Sequence, residues 1–97
     1  LESVRQLLAF APTEHYTLEA LAQRAAMSSS GLRAKFRATY GTSVFDYLRQ
    51  CRLELGRRHL EQGYSVQQAA HGSGYRYASN FATAFRRYFG VSPRDLT

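Results

Sequence analysis

The sequence predicts an all-α fold of two helix-turn-helix units joined by one long helix. Three observations predict it. Apolar residues recur at the three-to-four-residue spacing of helices, with no strand-like alternation. The two prolines, Pro12 and Pro93, both stand at helix edges. Most tellingly, the chain repeats itself: TLEALAQRAA from Thr17 lies over SVQQAAHGSG from Ser65, and SSSGLRAKFRATYGTSVFDY from Ser28 lies over YASNFATAFRRYFGVSPRDL from Tyr77. The offset is 48 residues before the turn and 49 after it.

Taken in order, Val4, Leu7 and Leu8 make a short first stripe that Pro12 ends. Thr17 then caps a helix to about residue 25, and a second helix runs over about 28–40. The repeat places their counterparts at about 65–72 and 77–89. A short helix, a tight turn and a longer helix are the grammar of a helix-turn-helix. Ala22 pairs with Ala70, where only a small side chain lets the second helix cross closely, and Gly74 supplies a permissive turn. Leu32, Phe36 and Tyr40 form the buried stripe of the first long helix. Phe81, Phe85 and Phe89 form that of the second, with Ala84 and Tyr88 filling beside them. Ser43 and Asp46 match Ser92 and Asp95, each pair reading as a cap followed by a carboxylate at the positive helix end. Ser65 to Gln68 fits a capping box.

Between the repeats, Val44 to about Gln62 reads as one helix. Val44, Tyr47, Leu48, Cys51 and Leu55 share a face, with Phe45, Arg52 and His59 beside it. The expected divisions are residues 1–42, 43–62 and 63–97 of a single domain. Because Leu1 opens directly into a helical pattern, a further domain is expected to precede it.

Composition narrows the partners. Thirteen Lys+Arg against seven Asp+Glu give a formal charge of +6, which points to a polyanion, nucleic acid first. Twelve of the thirteen are Arg, whose planar fork suits phosphate and guanine, although high-GC codon usage also favours it. No apolar run approaches the roughly 20 residues that span a bilayer, and one cysteine, Cys51, allows no internal disulfide. A cytoplasmic protein without a membrane partner or cofactor is expected.

The polar faces of the long helices supply the candidate readers. In the second unit these are Ser79, Asn80 and Thr83, with Arg76 near the helix start and Arg87 placed for phosphate. In the first they are Ser29, Ser30 and Arg33, with Arg37 on phosphate and Lys35 to one side; Gly31 costs that helix about 1 kcal/mol relative to Ala. Thr17, Ser43, Ser65 and Ser92 are further candidates for phosphate because helix amino ends attract anions; plain capping is their other reading. A connector of roughly 28 Å would set two such helices about one turn of B-DNA, ~34 Å, apart.

At these residues the chain resembles the AraC/XylS transcription regulators. Ala70, Gly74-Tyr75, Phe81, Phe85-Arg86-Arg87, Phe89-Gly90 and Ser92-Pro93 reproduce the family's carboxyl-terminal signature, and the first unit and connector fall where the family has them. The resemblance implies seven helices and double-stranded DNA as partner, with both recognition helices entering adjacent major-groove segments, either bending the DNA or leaving one unit loosely engaged. It places base reading on Ser30, Arg33 and Ala34 and on Ala78, Ser79, Asn80 and Thr83. It also implies an amino-terminal module for dimerisation or a small effector, and contact with RNA polymerase, for which Arg52, Arg57 and Arg58 are candidates unless they form a solvated face paired with Glu54 and Glu61. The string SNFATAFRRYFGVSP is similar to siderophore-uptake regulators within the family. Three departures stand out: Ala26 replaces a usual turn glycine, so that the first turn is expected to be strained, Gly31 falls inside the first recognition helix, and Tyr77 replaces a small cap.

Other classes fit less well. A basic helical module binding nucleic acid without sequence preference has no need of a duplicated, matched architecture. An enzyme using Cys51 and His59 would need groups to meet that lie about 12 Å apart along one helix. His15, His59 and His71 lack metal-ligand spacing.

Overall fold

A computed structural model describes all 97 residues, Leu1–Thr97. It is entirely helical, in the order α1 (Glu2–Phe10), α2 (Leu18–Arg24), α3 (Ser29–Tyr40), α4 (Val44–Glu61), α5 (Val66–Gly72) and α6 (Ala78–Phe89), closed by a 3-10 turn at Pro93–Leu96. The seventh helix implied by the resemblance is thus one tightened turn, its four residues held by the Ser92 N–H donating to Asp95 Oδ2 at 3.3 Å. No helix is long and apolar enough to cross a membrane.

The chain forms two compact units, Leu1–Arg49 and Gln50–Thr97, so the division falls inside the unbroken α4. In the first unit, Val4, Leu8, Leu21, Ala22, Leu32, Phe36, Val44 and Leu48 make the core. The Arg5 guanidinium bonds the Glu2 carboxylate and reaches Tyr47 Oη at 3.4 Å, while Tyr40 Oη donates to the same carboxylate at 3.1 Å. Arg5 and then Tyr40 hold the Glu2 carboxyl below its usual range. In the second unit Leu53, Leu60, Ala69, Ala70, Phe81 and Phe85 make the core. Its rings stack as a chain, Tyr75 on Phe81 at 5.4 Å, Phe81 on Phe85 at 5.4 Å and Phe85 on Phe89 at 4.5 Å.

The two turns are built alike. The Met27 N–H donates to the Ala22 carbonyl at 2.9 Å and the Ala26 N–H to the Gln23 carbonyl at 3.0 Å. The second unit repeats this with Tyr75 to Ala70 at 2.9 Å and Gly74 to His71 at 3.1 Å. Both are Schellman turns, which require a left-handed residue after the helix. Gly74 meets that at φ +94°, whereas Ala26 is forced to φ +55°, the only non-glycine residue with positive φ. The expected strain of the first turn is present.

Three expectations about packing need correction. Leu55 does not continue the buried face of Val44 and Leu48, because the second half of α4 serves another core and buries Leu53, Gly56 and Leu60 instead. Cys51 lies half-buried outside both cores. Tyr88 meets the stripe only at its end, its ring edge-on to Phe89 at 4.7 Å; it is 42% exposed, its phenol donates to Glu54 Oε1 at 3.1 Å, and partial burial followed by that bond pushes its pKa up. Gly56 is a close approach of α4 to α6, since a Cβ there would stand 2.4 Å from Phe81 Cε1.

Two stability predictions follow from this packing. Gly56→Ala should lower stability by about 1–3 kcal/mol despite alanine's better helix propensity, because a buried phenyl must shift; a denaturant midpoint at or above wild type would show that α4 and α6 part freely. Ala26→Gly should instead stabilise by about 0.5–1 kcal/mol, the relief of left-handed strain exceeding the added chain entropy. Chemical denaturation of the two proteins side by side measures the difference.

Candidate nucleic-acid interface

Burying Leu32 and Phe36 on one side of α3, and Phe81 and Phe85 on one side of α6, leaves the opposite sides to solvent. On α3, Ser30, Arg33, Ala34 and Arg37 are exposed, and Ser29 is half-buried because it faces partly inward at the first turn. On α6, Ser79, Asn80, Thr83 and Arg87 are exposed, as is Arg76 in the preceding turn, and Ala78 is half-buried. The structure therefore brings the expected readers together within each unit, Ser29 and Ala78 sitting at the edge of the face.

Hydrogen bonding decides what these groups have left to offer. The Thr83 hydroxyl donates to the Ser79 carbonyl at 3.0 Å, so its proton is engaged and it presents lone pairs and a methyl. Arg33, Arg37 and Arg87 make no ion pair. By contrast, Arg5, Arg49 and Arg57 are tied to Glu2, Asp46 and Glu61. Arg57 also lies over the Phe89 ring at 4.8 Å, and Glu54 takes the Tyr88 phenol. Of the two carboxylates expected to pair with the connector's arginines, Glu61 pairs with Arg57.

The hydroxyls proposed for phosphate are first of all caps. Thr17 Oγ1 accepts from the Ala20 N–H at 3.2 Å, Ser43 Oγ from Asp46 at 3.1 Å and Ser65 Oγ from Gln68 at 3.1 Å, with Gln68 Oε1 accepting from the Ser65 N–H at 2.9 Å. Each hydroxyl accepts in these bonds, so its proton remains to donate. Ser92 is half-buried at the start of the closing turn.

The starts of α3 and α6 differ. Ser28 caps α3, its Oγ accepting from the Gly31 N–H at 3.1 Å. The position equivalent to Ser28 is Tyr77, which caps α6 with its backbone alone. Losing a side-chain cap costs a helix about 0.5–2 kcal/mol. The Tyr77 ring is 55% exposed, and the Arg76 guanidinium lies over it, 5.6 Å from the centroid. Arg76 is the residue by which the second turn is longer than the first, the source of the step in offset from 48 to 49.

Comparison with known proteins assigns this arrangement. A helix-turn-helix domain family model matches residues 21–97. A protein of Streptomyces antibioticus described as an AraC-like transcription regulator is 40% identical over 85 residues, which is 87% of this chain and 28% of that protein. The chain belongs to the AraC/XylS family of helix-turn-helix domains. Among solved structures, the DNA-binding domain of AdpA in complex with a target DNA is 31% identical, with a TM-score of 0.81 over 95% of this AraC-type domain and 86% of that chain. An AraC-type regulator from Chromobacterium violaceum superposes with a TM-score of 0.91 over 99% of this domain and 87% of that chain, at 24% identity, a likeness of fold alone. This AraC-type domain spans under a third of the curated relatives it matches.

Within the domain the two units are not equivalent in charge. Leu1–Arg49 holds six cations against four carboxylates, and Gln50–Thr97 seven against three. The second unit thus attracts a polyanion more strongly and carries the more varied polar face.

Proposed function

We propose that the domain binds double-stranded DNA sequence-specifically as the reading module of a transcription regulator, α3 and α6 lying in successive major-groove segments of one site. The observation that carries this is the duplication. One chain presents the same helix-turn-helix twice, and each copy turns a solvent-facing polar surface with unpaired arginine outward from an apolar core. The similarity to a domain solved on its target DNA supports the same reading.

Roles follow from side-chain chemistry. Arg33 and Arg76 suit guanine through two parallel N–H bonds, and Asn80 suits adenine through its paired donor and acceptor. Ser29, Ser30 and Ser79 pair with either kind of edge, Ala34 and Ala78 offer methyl contact to thymine, and Thr83 accepts while its methyl packs. Arg37 and Arg87 hold phosphate, helped by the cap hydroxyls of Thr17, Ser43, Ser65 and Ser92. With Asn80 and Arg76 in the second unit against Arg33 in the first, α6 carries at least half of the specificity.

For the whole protein the same reading adds a small-molecule effector bound by a further domain, RNA polymerase as a second partner, and action in the cytoplasm. Its support is that the relatives are transcription regulators of which this chain is under a third.

Selection of bound DNA from a random pool tests the reading, with an enriched consensus and a protected stretch of about two helical turns expected. A pool that enriches nothing would favour a non-specific basic module. Arg33→Ala and Asn80→Ala should each weaken binding to the selected site by about 1–3 kcal/mol and relax preference at one base pair; an unchanged consensus in both would remove them from the reading face. Arg87→Ala should weaken all sequences alike and reduce the slope of log affinity against log salt by about 1. A titration over salt concentration reads that slope directly.

A further inference from the structure

The residues ahead of α6 combine features that stability does not explain. The two turns match bond for bond as far as Met27 and Tyr75. Tyr75 then packs inward on Phe81, 5.4 Å between centroids. The next residue in the first unit is the capping Ser28, whereas in the second an extra Arg76 precedes an exposed tyrosine that makes no cap. A serine at position 77 would hold the helix start better and put no aromatic surface in water. Residues that break a local rule without a structural return concentrate at functional sites.

The ring of Tyr77 is also not a loose surface group. It lies beneath the Arg76 guanidinium at 5.6 Å, an exposed cation–π contact that favours one side of the turn for that long cation. Ala78, Ser79 and Asn80 follow at once, and Ser79 and Asn80 are exposed. An aromatic face and a steadied guanidinium therefore adjoin the base-reading surface, and neither has a carboxylate partner. A planar ring beside a major groove offers dispersion contact to the one apolar group there, the thymine C5 methyl.

We infer that Tyr77 is a specificity-determining residue, its ring packing on a thymine methyl at the edge of the selected site while it positions Arg76 for the neighbouring guanine. The inference rests on the DNA-reading function above and names a residue and a base feature that the polar face of α6 does not include. The phenol oxygen has no part in it.

Replacing Tyr77 with serine separates function from structure because the two should move oppositely. Tyr77→Ser restores a cap, so the melting temperature of the 97-residue chain should rise, by about 4 °C for a typical cap. Affinity for the wild-type consensus should fall about tenfold, with preference lost at two adjacent base pairs. Replacing each thymine of the site by uracil in turn should weaken the wild type about fourfold at one position, the worth of one buried methyl. That sensitivity should vanish in Tyr77→Ser and persist in Tyr77→Phe. Wild-type affinity and consensus in Tyr77→Ser, or a uracil profile that does not depend on Tyr77, would overturn the inference while leaving the DNA-reading function standing. A wild-type chain that selects no consensus at all would overturn both.

Discussion

One buried alanine in each unit controls everything that the recognition helices present. Ala22 and Ala70 are 3% and 0% exposed, and each carbonyl accepts the N–H that closes its turn at 2.9 Å. The small side chain lets the long helix cross at close range, and the carbonyl fixes how the chain leaves the short helix. A larger residue would push the helices apart and turn the following helix, because packed interiors have no slack volume to absorb it. With that crossing fixed, Leu32 and Phe36, or Phe81 and Phe85, can face only inward. The polar residues between them can face only outward.

The same constraint is met at different expense in the two units. The first tolerates a left-handed alanine at Ala26 and then starts α3 with a well-capped turn at Ser28. The second takes the relaxed glycine at Gly74, inserts Arg76 and starts α6 without a side-chain cap. Strain sits before the helix in one copy, and a missing cap sits at the helix start in the other. The two copies thus differ on either side of the same turn, while the buried alanine and the two turn-closing bonds are common to both.

That intact pattern is why so much was legible from sequence. The helix-turn-helix boundaries and the caps at Thr17, Ser43 and Ser65 depend on local residue chemistry and recur through the repeat, and the strain at Ala26 follows from an alanine standing where a turn glycine is usual. The buried face of α4 depends on something else. A single helix serving two cores changes its buried register midway, so a face extrapolated from Val44 and Leu48 arrives at Leu55 and misses Leu53 and Leu60. Gly56 gave no hint, because its role exists only where Phe81 meets it. At the interface, which side chains face outward was legible from the phenylalanine spacing on α6. The Thr83 bond to the Ser79 carbonyl, which removes a donor from that face, needed coordinates. So did the placement of the Arg76 guanidinium over the exposed Tyr77 ring, since the sequence showed only that Tyr77 stands where a small cap is usual.

Charge placement completes the division of labour. A net positive chain attracts DNA wherever its cations stand, but orientation requires that some be quenched and others left free. Glu2, Asp46 and Glu61 hold Arg5, Arg49 and Arg57, all of them outside α3 and α6. These are exposed pairs, worth little to stability. Their larger consequence is electrostatic: each cancels a cation that would otherwise compete with the reading faces for phosphate. No carboxylate occurs anywhere within α3 or α6, so the free charge of Arg33, Arg37 and Arg87 acts undiluted along the helices that read. On the proposed reading, these weak surface ion pairs would trim the positive charge competing with those faces, though Arg24, Arg58 and Arg94 stay unpaired outside them, without adding to the strength of the fold.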